Sequence, residues 1–193
     1  LRAPMERADR VFLVSPMHAD LGQRECAAIK MAEECDVEQL VKVMGAVDHD
    51  GDQLDTEHKK VVAALETSNL NWTIISPQTV METNFYSQLE GIRFMGQMYG
   101  SAGDGRIAMV SADDCAEAAS IVLSSDPELL DGRNLEITGP EALTYGEFAT
   151  ELSIALGVHI AYIDMSEDDF KNLLVTFGMP EEDLELQALC HFR

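Results

Sequence analysis

Few side chains in this sequence are equipped for chemistry, and His58 stands first among them. An imidazole with an unperturbed pKa near about 6.5 changes charge close to neutrality, so it can donate a proton or a hydrogen bond to a reacting group. Lys59 and Lys60 follow it directly; read without a ligand, the same residue is a solvated histidine on an outer helical face. A phenol and ammonium spaced Tyr-x-x-x-Lys, which could shuttle protons, is absent, because Tyr86, Tyr99, Tyr145 and Tyr162 all lack that lysine. Arg106 follows the turn Gly103-Asp104-Gly105, and its planar fork can grip an anion or pair with one of the many acids. Asp48-His49-Asp50-Gly51-Asp52 imitates the opening of a calcium loop, but the glycine position holds Gln53, the apolar position Asp55, and the bidentate glutamate's place Lys59. It reads as an acidic loop, and no metal site is expected. Cys26, Cys35, Cys115 and Cys190 are too widely spaced for a zinc knuckle or a redox pair and read as reduced, mostly buried thiols.

The elements that must hold these groups alternate. Val11-Phe12-Leu13-Val14 is a short apolar run ended by Ser15-Pro16, as a buried parallel strand ends in a loop. Residues 18–35 place Leu21, Ala28, Ile29 and Ala32 at helical spacing, and 40–44 make a second strand stopped by Gly45. Asp55 is positioned to cap a helix carrying Val61, Val62 and Leu65; Trp72-Thr73-Ile74-Ile75 is a third strand closed by Ser76-Pro77. Downstream, 107–110 and 135–138 read as strands, with Ser111 and Asp114 positioned to cap the helix between them. Thr144-Tyr145-Gly146-Glu147 has capping-box form and opens a helix that stops near Gly157. Residues 160–163 follow as a strand, Ser166 starts another helix, and Pro180 sits at the first turn of the last. Strands joined through helices by short connections imply right-handed crossovers and a parallel sheet covered on both faces. Ligands of such sheets bind beyond the carboxyl ends of the strands.

Composition removes several partner classes. Thirty-five acids against thirteen Lys and Arg give a formal charge of −22, a field that repels nucleic-acid phosphates. No apolar run reaches the roughly 20 residues of a membrane span. The N-terminal residues lack the order of a signal peptide, so a cytoplasmic location is expected. At 193 residues one domain is the expectation for 1–193, with 134–193 as its substrate-side subregion.

Five segments in order resemble the NmrA-like family of atypical short-chain dehydrogenases. They are Asp9-Arg10-Val11-Phe12-Leu13-Val14-Ser15-Pro16, Ser68-Asn69-Leu70-Asn71-Trp72-Thr73-Ile74-Ile75-Ser76-Pro77, Gly103-Asp104-Gly105-Arg106, Ser111-Ala112-Asp113-Asp114-Cys115-Ala116-Glu117, and Ile137-Thr138-Gly139-Pro140-Glu141-Ala142-Leu143-Thr144-Tyr145. The resemblance implies an α/β fold, a partial doubly wound (Rossmann-like) parallel sheet with a small C-terminal α/β extension. The family opens with a strand, a G-x-x-G-x-x-G turn and a helix, followed by two more strands; none of these precedes Val11 here. By that alignment Leu1 falls in the helix before the family's fourth strand, and Arg193 stops short of its usual C-terminal segment. The strand at Val11 is then an open sheet edge, which leads to the expectation of a homodimer or a complementing chain through it.

The resemblance also implies roles. Ser15, Pro16 and Met17 stand where relatives place backbone against the cofactor's ribose and adenine side; a plain strand-to-helix turn is the other reading. Pro77, Gln78, Thr79 and Val80 stand at the nicotinamide end, with Ser76 where an arginine is common. His58 falls where the family has a histidine or lysine resembling the general acid or cofactor-ribose lysine of related dehydrogenases, although the glutamate one turn later is Val62. The implied function is NAD(P) binding with hydride transfer to a small carbonyl, quinone or imine-like substrate. A redox sensor that passes the nicotinamide state to a regulatory protein partner is the alternative, and a degenerate fragment that binds no dinucleotide is a third. Without the glycine turn, NAD(P) binding by this chain is expected to be weak or absent.

Overall fold

The computed structural model describes residues 2–45 and 53–184. The chain divides into two compact units, Leu1–Gln78 with Ala112–Ile137, and Thr79–Ser111 with Thr138–Arg193.

The first unit is built on a parallel sheet. Helix α1 (Arg2–Met5) leads into β1 (Arg10–Leu13), α2 (Leu21–Glu34), β2 (Gln39–Val43), α3 (Gln53–Glu66) and β3 (Asn71–Pro77). The order across the sheet is β1, β2, β3 and then the later strand Arg133–Ile137, every pair parallel. The register Leu13↔Lys42, Val43↔Ile75 and Pro77↔Ile137 sets all four carboxyl ends along one edge. Alternation along β2 explains the layers. Leu40 points toward Ile29 and Ala32 of α2 and Val61 and Leu65 of α3. Val41 points the other way, toward Ala119 and Val122 of the helix Ala112–Ser124. Helices therefore cover both faces of the sheet, and each buried aliphatic side chain contributes about 1.5–3 kcal/mol. On the outer flank, β1 is the sheet's edge, with Phe12 47% and Val14 57% exposed. Arg10 anchors that strand by donating to the carbonyls of Leu123 and Ser125.

The second unit starts with α4 (Met81–Glu90), continues through a π-helical turn at Gly91–Met95, and enters β4 (Gln97–Gly100). The helix of the first unit, Ala112–Ser124, is α5, and its strand Arg133–Ile137 is β5. The second unit then adds α6 (Tyr145–Leu156), β6 (Ala161–Asp164) and α7 (Glu167–Thr176). β4 and β6 pair in parallel over a core of Met98, Met109, Tyr145, Phe148 and Ile160. The capping box at the start of α6 is formed: Glu147 donates its backbone N–H to Thr144 Oγ1 at 3.1 Å, and Thr144 returns its own to Glu147 Oε2 at 2.8 Å. Gly157 ends that helix at φ 68°, and Ser166 caps α7 through the Asp169 N–H.

Several expectations change. Residues 107–110 form no strand of either sheet; Ile107 bridges Leu143 and Val110 bridges Val80, one residue each. Gly139 lies so close that a Cβ there would stand 2.0 Å from the Met109 carbonyl oxygen, and its N–H donates to the Ala108 carbonyl, so irregular backbone packs against this segment. Asp55 does not precede α3: it lies in the first turn, buried, with Lys59 Nζ 2.6 Å from Oδ2. Cys26, Cys35 and Cys115 form no disulfide and are half-buried, where sequence suggested mostly buried thiols. The strand read from sequence at 135–138 runs instead over Arg133–Ile137, as β5 of the parallel sheet. The acidic loop 48–52 and Cys190 lie outside the described residues.

Candidate functional site

The carboxyl edge of the parallel sheet gathers most of the residues singled out from sequence. β1 ends at Leu13 and releases Ser15, Pro16 and Met17 at that edge, Ser15 and Met17 half-buried and Pro16 exposed. His18 and Arg24 close on Asp20, each nitrogen 2.6 Å from Oδ1. Desolvation works against that carboxylate, yet Arg24 and His18 hold it below its ordinary range. Two strands over, β3 ends at Pro77. Gln78 continues the edge by donating its backbone N–H to Ile137, 3.2 Å, and its side-chain amide to Glu136, 3.1 Å. Ser76 is buried and donates to Asn134 Oδ1 at 2.7 Å, so the place of a common family arginine is filled by a closed neutral pair. Thr79 and Val80 open the second unit, where the Thr79 carbonyl accepts from Val110 at 2.9 Å.

His58 is on the inner face of α3, 2% exposed, so the solvated outer-face reading does not hold. Its place follows from the helical period: Leu54, His58, Val61 and Leu65 form the stripe that α3 turns inward. The ring's Cε1 is 3.9 Å from where a Cβ on Gly45 would stand, which puts the imidazole directly beneath the turn that leaves β2. Parallel topology sets the start of α3 at the carboxyl edge, and His58 with it.

Two buried charged features of the first unit escaped the sequence reading. Lys42 and Glu25 form an ion pair inside the unit, Nζ to Oε1 2.8 Å, with side chains 3% and 0% exposed. The contact is an ion pair rather than an aligned hydrogen bond, and Oε2 has no hydrogen-bond partner among the described residues. Burial drives the Lys42 ammonium below the usual lysine range, while Glu25 pulls the other way. The signal was present: Glu25 sits on the stripe of Leu21, Ala28 and Ile29, and Lys42 shares a strand face with Leu40. Two opposite charges on facing buried surfaces must meet. The second feature is Glu57, whose Oε2 accepts from the Gly22 N–H at 3.0 Å in the first turn of α2.

That last contact bears on cofactor fit. A helix N-terminus binds phosphate through unfilled N–H groups, and here the first turn of α2 already holds a carboxylate. The first turn of α2 therefore does not suit a pyrophosphate. Elsewhere, Arg106 takes the bland role: it donates to the Ala142 carbonyl and pairs with Glu147 at 2.8 Å. Among the described residues no cluster of His, Cys, Asp or Glu could hold a metal ion, and no helix is long and apolar enough to cross a membrane.

No family model matches the sequence. The chain is 30% identical over 195 residues to (4-alkanoyl-5-oxo-2,5-dihydrofuran-3-yl)methyl phosphate reductase of Streptomyces griseus, covering 97% of this chain and 67% of that protein. It is 28% identical over 183 residues to the NAD(P)H azoreductase of Xenophilus azovorans, covering 94% of this chain but only 63% of the relative's length. Among solved structures, the NADPH-dependent quinone oxidoreductase QOR2 of Escherichia coli superposes with a TM-score of 0.82 at 24% identity, over 99% of this chain and 70% of that one. The parallel sheet observed here is thus a Rossmann-like sheet, and the chain belongs to the NmrA-like family of atypical short-chain dehydrogenases.

Proposed function

We propose that this chain is part of an NAD(P)H-dependent reductase whose acceptor is a small carbonyl, quinone or imine-like molecule. One observation carries the reading: Leu13, Val43 and Pro77 end along one edge of the sheet with His58 beneath it, in a chain whose relatives are named as reductases. The azo group in one relative's name and the quinone in a structural neighbour's are both electron-poor double bonds. A bound nicotinamide supplies hydride. The chain's own part is to line the adenine and ribose side with Ser15, Pro16 and Met17, to line the nicotinamide side with Pro77 and Gln78, and to deliver one proton from His58 to the acceptor's oxygen or nitrogen.

With no G-x-x-G-x-x-G turn in the sequence and Glu57 on the α2 terminus, nicotinamide nucleotides bind weakly to this chain alone. Isothermal titration with NADPH and NADH measures that, and a micromolar constant contradicts it. Acceptor-dependent NADPH consumption with a quinone and an azo compound tests turnover, and His58→Ala should lower it about 100-fold if the imidazole is the proton donor. The missing Tyr-x-x-x-Lys pair favours a second reading, a redox-sensing binding protein; it predicts NADPH-dependent partner binding with no consumption under any acceptor.

A further inference from the structure

Resting on the reading of His58 as proton donor, we propose that Glu57 is its positioning residue, tethered to the first turn of α2 at Gly22, where an added Cβ would displace the tethering carboxylate. Glu57 is buried, and its Oε2 accepts from the Gly22 N–H at 3.0 Å while Oε1 meets Lys60. A Cβ on Gly22 would lie 2.3 Å from that oxygen and 3.2 Å from the Glu57 carbonyl oxygen. The two helices therefore approach backbone to side chain here, as they do where Cys26 Sγ meets the Lys60 carbonyl oxygen at 3.6 Å. Asp20, in the N-cap position of α2, makes no side-chain cap bond; it is turned to His18 and Arg24. Glu57 supplies from the neighbouring helix the acceptor that an N-cap residue would ordinarily supply. Neighbouring residues on a helix diverge by about 100°. Glu57 thus reaches sideways to α2 while His58 faces the turn after β2, and a shift of the tether moves the imidazole.

The ionisable groups packed around this corner are Glu25 and Cys26 on α2, Lys42 on β2, and Asp55, Lys59 and Lys60 on α3. The variants below leave those side chains in place; Glu57→Ala and Glu57→Gln both release Lys60 from its ion pair, so the contrast between the two variants isolates the bond to Gly22.

The test uses the imidazole nitrogen signals of His58 in the labelled chain, assigned with His58→Ala. Glu57→Ala and Gly22→Ala should shift or broaden those signals and change the tautomer ratio, while His159 in the second unit stays put. Glu57→Gln keeps an oxygen for the Gly22 N–H and should restore signals close to the wild type. If Gly22→Ala does not fold, the Glu57 pair of variants decides. Folded Glu57→Ala with an unmoved His58 overturns the proposal, and so does Glu57→Gln if it perturbs as much as Glu57→Ala, because charge rather than tethering would then be the cause. In the acceptor assay Glu57→Ala should lower kcat about 10-fold or more at unchanged KM, the scale of a misplacement below about 1 Å. Full turnover in His58→Ala, with His58 still moved in Glu57→Ala, would refute the proton-donor reading and leave the tether standing.

Discussion

Lys42→Met keeps the carbon stem of the lysine and removes its ammonium, leaving the Glu25 carboxylate wholly buried against a thioether. In the folded protein the two charges are 2.8 Å apart with side chains 3% and 0% exposed. At an effective dielectric of about 20 their attraction is about 6 kcal/mol. Against it stand several kcal/mol of lost hydration for each ion, so the intact pair nearly cancels. A lone carboxylate at the same place has no such offset, and the single variant should lose about 3–5 kcal/mol. The double variant Lys42→Met with Glu25→Leu has no charge to strand and should lie within about 1 kcal/mol of the wild type, which makes the coupling energy of the cycle larger than either partner's net worth. Urea denaturation followed by circular dichroism, fitted with a common m-value, measures all four corners. An unchanged midpoint in Lys42→Met would refute the account, because it would mean that water or a proton already neutralises Glu25.

The same lysine sets a pH slope. Burial lowers its folded pKa below the free value of 10.5, so between those two points the unfolded chain binds more protons and stability rises with pH; Lys42→Met should flatten that rise in a melting series. Tyr162 acts with the opposite sign. Burial pushes its phenol up to about 12, despite the Ala102 N–H that it accepts, with Asp164 adding to the rise, so its contribution is complete below pH 10 and lost as pH climbs toward 12. Tyr162→Phe should lose about 1–2 kcal/mol near neutrality and show no such decline. Gly139→Ala should destabilise the second unit by about 2–3 kcal/mol in denaturant melts, since its Cβ would meet the Met109 carbonyl oxygen at 2.0 Å and only backbone movement can relieve that.

The first unit was legible because its signals are local and repeated. Val11 to Leu13, Leu40 to Val43 and Trp72 to Ile75 are apolar runs ended by turn residues, and the helices between them keep a 3.6-residue stripe. β4 was not legible: Gln97-Met98-Tyr99-Gly100 has no β-branched residue, and its partner strand begins 64 positions later at Ala161. Its strand state is imposed by that pairing and by Gln88, whose amide both donates to and accepts from the Tyr99 backbone. Residues 107–110 erred in the other direction. Their pattern suits a strand, but Gly139 and Leu143 each claim one contact and leave no neighbour to pair along. Of the site, the strand ends could be placed by topology alone. The burial of His58 could not, since Lys59 and Lys60 beside it suggest solvent, and only the whole stripe from Leu54 to Leu65 shows which way the ring turns.

The charges at the carboxyl edge decide what part of a dinucleotide these residues can hold. Pyrophosphate needs backbone N–H groups without a partner and a positive field. At the start of α2 the Gly22 N–H is given to Glu57, and the first turn of α3 carries the buried Asp55, in a chain of formal charge −22. Seating two phosphates there would require expelling a carboxylate that is already hydrogen-bonded and paired with Lys60. Adenosine and the reduced form of nicotinamide riboside carry neither phosphate nor charge and avoid that conflict. In titrations of this chain they should bind at least as tightly as NADPH, and raising the salt should narrow whatever difference exists, because it screens repulsion. NADPH binding about tenfold tighter than adenosine, and weakening as salt is added, would mean that a cationic phosphate site exists at this edge, and the assignment of the α2 terminus to Glu57 would fail with it.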